Sequence, residues 1–407
     1  MLKNWPYKAL ILKRKIEAIF IFPFVEIGRT IALLQPPQKE YKTFYFFPFY
    51  HIGGAEKVHA QIVQATGGDD CIIYFTRKSH NDHFRGEFMK SGCVLKDISA
   101  FTDNKWFYFL NLIYRGIISG YINRQQETPI VFNGQCNFGY KLSPWIRKNI
   151  PQIELIHSFN SFSYIRMPFL PFITKTVMIS RKRIEDHFAF YDKTGVPESF
   201  KERIQYIPNA ISLPAVTSPK ATDEFTVLYV GRGGIEKRVH LIAAMARKLY
   251  ESNKSIKFEM LGDISMVIDQ KQYPFIHFYG NLNEESAIQQ IYSKASIVIL
   301  TSSTEGFPLV VMEGMANGCA IIATPVGDIP YHVKTGVNGF LFTNTEEEDR
   351  IIREGIGCIT ELSKDPALLK EISTNNIAYA KGHFDIQRLN DAYRELFNAL
   401  KPANETT

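Results

Sequence analysis

The segment Thr301–Phe342 reads TSSTEGFPLVVMEGMANGCAIIATPVGDIPYHVKTGVNGFLF. The apolar run that ends at Thr301 is typical of a buried strand, and Glu305-Gly306-Phe307 is typical of a turn behind it. Pro308 suits the first position of a helix, because its missing N–H costs nothing there. Gly318 suits the end of that helix. The segment therefore predicts a strand, a turn and a helix, in the order found in an α/β sheet.

The start of this predicted helix, residues 308–317, is a candidate anion site. The amides of Leu309 and Val310 have no partner within the helix, and amides at a helix start favour phosphate. Glu305 and Glu313 bracket this start, eight positions apart. Since carboxylates repel phosphate, we assign both to hydrogen bonds from sugar hydroxyls. A solvated helix glutamate without a ligand is the alternative for Glu313.

A second candidate is the stretch YVGRGGIEKRVHLI, residues 229–242, after another predicted strand. Gly231 and the two glycines that follow Arg232 allow a ligand close to the backbone. Arg232 and Lys237 can converge on a diphosphate from two sides. The spacing matches neither a Walker loop nor the GxGxxG dinucleotide fingerprint, which disfavours an NTPase and an oxidoreductase. Solvated basic residues are the alternative.

Strands alternate with helices along most of the chain. Helices are predicted from Gly54, at 105–122, at 236–251 and at 284–294. This alternation predicts two doubly wound α/β domains with parallel sheets. The strands are predicted at 44–50, 71–76, 129–134, 153–158 and 176–180 in the first half, and at 226–231, 257–262, 276–280, 296–301 and 320–324 in the second.

The predicted organisation has four parts. A basic N-terminal extension at 1–40 precedes a first Rossmann-like domain at 41–208. A second Rossmann-like domain follows at 209–385, and a C-terminal helix at 386–407 is a candidate to cross back to the first domain. The Pro-, Ser- and Thr-rich stretch 210–224 is predicted to be the linker between the two domains.

Composition places the chain among ordinary globular proteins, with 45% hydrophobic and 22% charged residues. Residues 1–210 carry 28 Lys+Arg and 17 Asp+Glu (+11), and the remainder carries 19 and 24 (−5). The basic half suits an anionic surface or acceptor, with ordinary solvated charge as the alternative. The five cysteines lack CxxC spacing, so we expect reduced thiols and no zinc knuckle in a cytoplasmic protein.

The N-terminal extension carries a basic amphipathic pattern. Ala9, Leu12, Ile16 and Ile19 recur at helical spacing among lysines and an arginine. Pro23 interrupts the most apolar stretch, which is too short to span a bilayer. Such a helix is a candidate for the inner face of the cytoplasmic membrane, and packing on its own domain is the alternative.

The two glycine-bearing motifs together resemble family 4 of the retaining glycosyltransferases, which have the GT-B fold of two Rossmann-like domains facing each other across a cleft. With Asn209, Gly280 and the turn Gly336–Gly339, the resemblance covers most of residues 205–345. The first half resembles the family at two places: the Gly53-Gly54 loop after the first strand, and His157 at the end of a later strand. The sequence departs from the family at Arg238, where glycine is usual.

The resemblance implies a role for each matched residue. The phosphates of the donor would be faced by Gly53, Gly54, Gly231 and the amides of Leu309 and Val310. The donor would also be lined by Gly306 and Phe307. Arg232 and Lys237 would stabilise the departing nucleotide diphosphate. The remaining roles go to Glu313 at the ribose, Glu305 at the sugar hydroxyls and His157 near the reacting sugar carbon.

The resemblance also implies the reaction. A UDP-sugar or GDP-sugar would be the donor, a glycan or lipid-linked glycan the acceptor, and cell-surface polysaccharide assembly the setting. We expect no metal, because the sequence has no DxD triplet and His80 and His83 lack a third ligand. No nucleic acid partner is expected. A non-catalytic sugar-nucleotide-binding scaffold and a phosphorylase or epimerase of the same fold are the alternatives.

Overall fold

The computed structural model of the chain describes residues 5–401, except for residues 52, 105, 107, 216, 218, 221–223, 253 and 283. The chain forms two units. The first comprises Met1–Pro208 and Leu389–Thr407, and the second comprises Asn209–Arg388. The predicted C-terminal segment 386–407 is therefore divided, since its first three residues belong to the second unit.

The first unit is built on a seven-stranded sheet in the order β3-β2-β1-β4-β5-β6-β7. All of its strand pairs are parallel. The strands are β1 Thr43–Phe47, β2 Cys71–Phe75, β3 Val94–Asp97, β4 Ile130–Asn133, β5 Gln152–Ile156, β6 Lys175–Met178 and β7 Ile204–Tyr206. The helices are α1 Tyr7–Leu34, α2 Gly54–Thr66, α3 Arg85–Met89, α4 Ser99–Thr102, α5 Tyr108–Asn123, α6 Asn137–Leu142, α7 Ser161–Ile165 and α8 Arg181–Thr194.

The second unit is built on a six-stranded parallel sheet in the order β10-β9-β8-β11-β12-β13. The strands are β8 Phe225–Val230, β9 Ile256–Leu261, β10 Ile276–Gly280, β11 Ile297–Leu300, β12 Ala320–Ala323 and β13 Gly339–Leu341. The helices are α9 Val239–Ser252, α10 Glu285–Lys294, α11 Leu309–Ala316, α12 Ile329–His332, α13 Glu348–Lys364, α14 Pro366–His383 and α15 Ile386–Leu400, whose last part belongs to the first unit.

Helices cover both faces of the second sheet, which is the doubly wound arrangement. Val227 on β8 faces a core shared with α9 and α13, whereas its neighbour Leu228 faces a core shared with α10 and α11. Strands buried on both faces need continuous apolar runs, which is why β8, β11 and β12 are evident in the sequence. The predicted α/β class and its two Rossmann-like domains are confirmed.

Three short strands are absent from the sequence-based prediction. They are β3, with the sequence VLKD, β7, with IQY, and β13, with GFL. Each lies at the edge of its sheet or beyond the last predicted strand, and each is three or four residues long. An edge strand pairs with only one neighbour, and its faces are less completely covered by other elements. Its sequence therefore lacks the long apolar run that marks a central strand.

The predicted linker at 210–224 is tied to the second unit over part of its length. Ile211 forms a β-bridge with Asp385. Lys220 is 9% exposed, and its ammonium donates to the carbonyls of Tyr292 at 3.0 Å and Ser293 at 2.6 Å. These carbonyls lie in the last turn of α10, where a cation is stabilised by the helix dipole.

Helix α1 runs through Pro23 without interruption. Leu10, Val25 and Ala32 are buried along its inner face. Gly28 lies directly on α5: a methyl group added at Gly28 would lie 2.0 Å from the carbonyl oxygen of Ile113. No helix among the described residues is both long enough and apolar enough to cross a bilayer.

Replacing Gly28 with alanine is expected to lower the free energy of unfolding of the first unit by about 1–3 kcal/mol, because α1 and α5 must move apart. Gly357→Ala in α13 is the control, since a methyl group there meets nothing within 4 Å. Alanine raises helix propensity by about 1 kcal/mol at both positions, so the difference between the variants isolates the helix contact. Urea denaturation measures the effect, and hydrogen exchange of α1 locates it. Equal midpoints for the two variants would contradict the close contact.

Candidate functional site

The strand order of the second sheet brings the two predicted motifs together. β8 has β9 on one side and β11 on the other, so the chain reverses its direction of winding at β8. In doubly wound sheets the loops on either side of such a reversal diverge and leave a crevice at the carboxyl ends of the strands. The loop after β8 holds Gly231–Lys237, and the loop after β11 holds Thr301–Pro308.

Lys237 and Glu305 meet at this edge. The Lys237 ammonium lies 2.6 Å from Oε1 of Glu305, with the two side chains 22% and 10% exposed. They are 68 residues apart in the chain. Ser303 N also donates to the carbonyl of Glu236 at 2.8 Å, which joins the two loops through their backbones. The structure thus places one cation and one carboxylate of the predicted site in direct contact.

Arg238 explains how the loop tolerates its departure from the family pattern. Its φ is +47°, in the left-handed region that glycine adopts most readily. The side chain is buried, and its guanidinium donates to the carbonyls of Thr301 at 2.7 Å, Thr345 at 2.6 Å and Ser302 at 3.3 Å. Three charge-assisted hydrogen bonds offset the backbone strain and hold the start of the Glu305 loop. The sequence analysis did not assign Arg238 this role.

The side chain of Arg232 is 83% accessible, and its guanidinium lies 3.9 Å from the Glu236 carboxylate. Tyr229 links it to the rest of the site, since the buried Tyr229 hydroxyl donates to the carbonyl of Arg232 at 2.9 Å. Burial raises the pKa of Tyr229, with Glu305 and Glu236 raising it further and Arg232 opposing them. The Arg232–Glu236 pair is thus joined to the Glu305 loop through the backbone bond between Ser303 and Glu236.

Helix α11 begins at Leu309, one position later than predicted, because Pro308 occupies the N-cap. No side chain caps this start, and the first-turn amides of Leu309 and Val310 have no acceptor within the helix. The Phe307 side chain is 3% exposed and stacks on His332 with ring centroids 4.1 Å apart. Only the backbone of Phe307 is therefore available to a bound ligand, while the Phe307 side chain holds the loop in place.

Gly306 and Glu313 are positioned by buried polar contacts. The Gly306 carbonyl accepts from the amide of Asp328 at 2.7 Å, and Gly327, with φ +59°, packs directly against it. On α11, the half-buried Glu313 accepts a hydrogen bond at Oε2 from the buried hydroxyl of Tyr292 at 2.8 Å. Burial, with Glu313 beside it, raises the pKa of Tyr292 well above its ordinary value. One carboxylate oxygen of Glu313 is thus oriented by the protein.

In the first unit, His157 directly follows β5 and meets a second histidine. Nε2 of His157 lies 2.8 Å from Nε2 of His59, which is buried on α2 and stacked on Phe47. Burial lowers the pKa of His157 to about 4 and that of His59 well below 6.5. Two neutral rings can share one proton between these nitrogens, so one ring donates and the other accepts. Burial thus keeps His157 neutral, and the contact with His59 orients its ring.

The sequence analysis did not identify His59 as part of the site. The available signal was a histidine on the apolar face of the helix that follows the Gly53-Gly54 loop, between Val58 and Ile62. Its partner is 98 residues away. The contact becomes visible only when the sheet order places β1 next to β4, and β4 next to β5.

The Gly53-Gly54 loop is already faced by a carboxylate. A Cβ at Gly53 would lie 2.2 Å from Oε2 of Glu56, whereas a Cβ at Gly54 meets nothing within 4 Å. The Glu56 side chain is 10% exposed, and its Oε1 lies 3.9 Å from Nε2 of His51. Since like charges repel, a phosphate can approach this helix start only if the Glu56 side chain turns aside. No group of three or more His, Cys, Asp or Glu side chains in the described part of the chain is arranged to hold a metal ion.

Two Rossmann-like units with parallel sheets are the architecture of the GT-B fold. Among solved structures, the chain superimposes on HepE of Anabaena in complex with UDP-glucose with a TM-score of 0.68, at 18% identity, over 88% of this chain and 99% of that one. It superimposes on the apo form of the lipopolysaccharide outer core galactosyltransferase WaaB with a TM-score of 0.65, at 18% identity and the same coverage. The predicted GT-B fold is confirmed.

Sequence comparison assigns the second unit more closely. Residues 216–378 match the family described as glycosyl transferases group 1. The chain is 29% identical over 197 residues to the sulfoquinovosyl transferase SQD2 of Arabidopsis thaliana, a match covering 47% of this chain and 35% of that protein. The chain spans about a third of the length of the curated relatives it matches. Residues 216–378 of the second unit are therefore similar to the group 1 glycosyltransferases.

Proposed function

We propose that this protein is a retaining, metal-independent glycosyltransferase of family 4, with a UDP-sugar or GDP-sugar as donor and a glycan or lipid-linked glycan as acceptor. The contact that carries this proposal is the one between Lys237 and Glu305, at 2.6 Å on the carboxyl edge of the second sheet. The cation can stabilise the phosphate of a nucleotide-sugar, and the carboxylate can accept hydrogen bonds from its sugar hydroxyls.

The hard step of the reaction is cleavage of the bond between the anomeric carbon and the diphosphate oxygen. The electron pair of that bond leaves with the nucleotide diphosphate, so negative charge grows on the phosphate as the sugar becomes cation-like. Lys237, Arg232 and the open amides of Leu309 and Val310 are suited to stabilise that charge. Fixed donors aimed at developing charge are worth about 3–4 kcal/mol each in enzymes of other kinds.

The configuration at the anomeric carbon is retained if the acceptor attacks from the same face that the diphosphate leaves. The acceptor oxygen then forms the new bond to the anomeric carbon, and its proton passes to the departing phosphate oxygen. His157 in the first unit has the chemistry to contact the sugar, because burial keeps it neutral and the contact with His59 engages Nε2 rather than Nδ1. Glu305 would accept hydrogen bonds from the sugar, and Glu313 from the ribose.

A membrane-bound acceptor is supported by the outer face of α1. Leu12, Ile16, Ile19 and Phe20 are 59%, 47%, 72% and 74% exposed along this helix. Exposed lysines, among them Lys15, flank the apolar stripe. A helix with an apolar face and basic flanks lies in the headgroup region of an anionic bilayer. Action at the inner face of the cytoplasmic membrane, in the assembly of cell-surface polysaccharide, is the setting we propose.

The test is nucleotide release. The chain is incubated with UDP-sugars and GDP-sugars in the presence of EDTA, and free nucleotide is measured by chromatography. We expect release from one donor class, and we expect the matching nucleotide to raise the melting temperature of the wild type but not of Arg232→Ala. A scaffold would bind without release. A phosphorylase would require free phosphate, and an epimerase would convert the sugar without releasing nucleotide. Any of these three results would overturn the proposal.

A further inference from the structure

A basic cavity lies in the first unit, at the edge of the sheet opposite His157. Its volume is about 650 Å³, and its lining includes Arg14, Lys148 and Arg203 together with Gln152, Phe172 and Thr174. Gln152 is the first residue of β5, while Thr174 and Arg203 directly precede β6 and β7. The cavity is therefore at the amino edge of three adjacent parallel strands. His157 follows the other end of β5, about 16 Å away for a five-residue strand.

The positive charges of this cavity are not balanced within it. None of the residues that line it is an aspartate or a glutamate. The guanidinium carbon of Arg14 lies 4.6 Å from the centre of the Phe172 ring, and Nε of Arg14 is buried without a hydrogen-bond partner among the described residues. Arg203 donates one hydrogen bond, from Nη1 to the carbonyl of Ile173 at 2.7 Å. Lys148 is exposed to solvent.

Arg14 and Arg203 line the same cavity, and Tyr7 lies near both of them. Its ring packs edge-on against Phe200, whose other neighbour is the Arg203 guanidinium, 4.6 Å from the ring centre. Burial raises the pKa of Tyr7 to about 12, while Arg14 and Arg203 both act to lower it. Two guanidinium groups from residues 189 positions apart therefore act on one hydroxyl.

We propose that this cavity binds a phosphate group, either of a lipid headgroup or of a soluble phosphate ester. Guanidinium groups bind phosphate oxygens through paired N–H donors, and Arg14 is held in place for this by its contact with Phe172. Lys148 adds a mobile point charge at the solvent side. Gln152 and Thr174 give the cavity uncharged polar walls. The side-chain amide of Gln152 donates to the Ser143 carbonyl at 3.3 Å. The site is independent of the nucleotide-sugar site in the second unit.

The test has a soluble arm and a lipid arm. In the soluble arm, glycerol 1-phosphate is titrated against the full chain by calorimetry. In the lipid arm, the chain is sedimented with vesicles of phosphatidylglycerol and phosphatidylcholine or of phosphatidylcholine alone. Both arms compare the wild type with Arg14→Gln/Arg203→Gln. The control Lys96→Gln/Lys193→Gln removes the same charge from exposed lysines elsewhere in the first unit.

We expect at least a tenfold loss of affinity in the arginine variant and less than a twofold change in the control. A loss in the soluble arm alone identifies a free phosphate ester, and a loss in the lipid arm identifies a headgroup. Because Arg14 packs on Phe172, Lys148→Glu serves as a second variant that reverses charge in the cavity at an exposed position. Equal affinity of the wild type and both cavity variants in both arms would overturn the proposal. Nucleotide-induced stabilisation should be unchanged in these variants, which separates this result from a failure of the proposed function.

Discussion

Replacing Lys237 with methionine is expected to slow nucleotide release from the nucleotide-sugar by about 10²–10³-fold. This is the usual cost of removing one hydrogen-bond donor that is aimed at developing charge. Methionine keeps most of the length of the side chain, so packing is largely retained while the ammonium is lost. The effect should fall mainly on the maximal rate, because the charge on the diphosphate grows only as the bond to the sugar breaks. Steady-state kinetics with a saturating donor measures it.

Two controls separate catalysis from folding. Lys248→Met removes an exposed lysine of α9 in the same unit and should leave the rate unchanged. The Lys237→Met change also deprives Glu305 of a partner 2.6 Å away, which costs stability at a group 10% exposed. Lys237→Met/Glu305→Gln also neutralises the Glu305 carboxylate, so it should recover stability without recovering the rate. A rate within threefold of the wild type in Lys237→Met would exclude this lysine from the reaction.

Replacing Arg166 with methionine is expected to lower the free energy of unfolding of the first unit by about 3–5 kcal/mol. Arg166 and Glu154 are both completely buried, and the guanidinium donates to the carboxylate at 2.7 Å and 3.1 Å. Glu154 also accepts from the hydroxyl of Thr176 at 2.6 Å, and Arg166 donates to Tyr191. The variant leaves a carboxylate in the core without its counter-charge, and desolvation of that charge is the cost.

The matched control is the exposed pair Arg350–Glu354, with N···O 2.9 Å and side chains 44% and 25% accessible. Arg350→Met should cost no more than about 1 kcal/mol, because water screens that pair. Arg166→Met/Glu154→Leu should recover most of the loss, since two apolar residues can replace a buried pair. Urea denaturation followed by circular dichroism measures all three variants. A loss below 1 kcal/mol in Arg166→Met would show that water reaches the pair.

Much of the fold could be predicted because its information is local. The apolar runs that became β8, β11 and β12 lie within two residues of their predicted ends, since a central parallel strand must be apolar on both faces. Pro308 and Gly318 marked the limits of α11 to within two residues for reasons of backbone chemistry alone. In contrast, β1 ends at Phe47, short of its predicted end, because Pro48 has no N–H to continue the ladder.

The kinds of chemical group at the candidate site could be predicted from the sequence. Glycine loops, an uncapped helix start and flanking charges are all patterns of adjacent residues. The sequence by itself thus determined the α/β class and the parallel sheets, and it predicted Lys237 and Glu305 as site residues. Only the tertiary structure decided that Lys237 contacts Glu305, that His59 contacts His157 and that Arg14 and Arg203 line one cavity. These pairs of residues are 68 to 189 positions apart in the chain. The order of strands in each sheet creates them, and that order arises from packing of the whole chain rather than from any local preference.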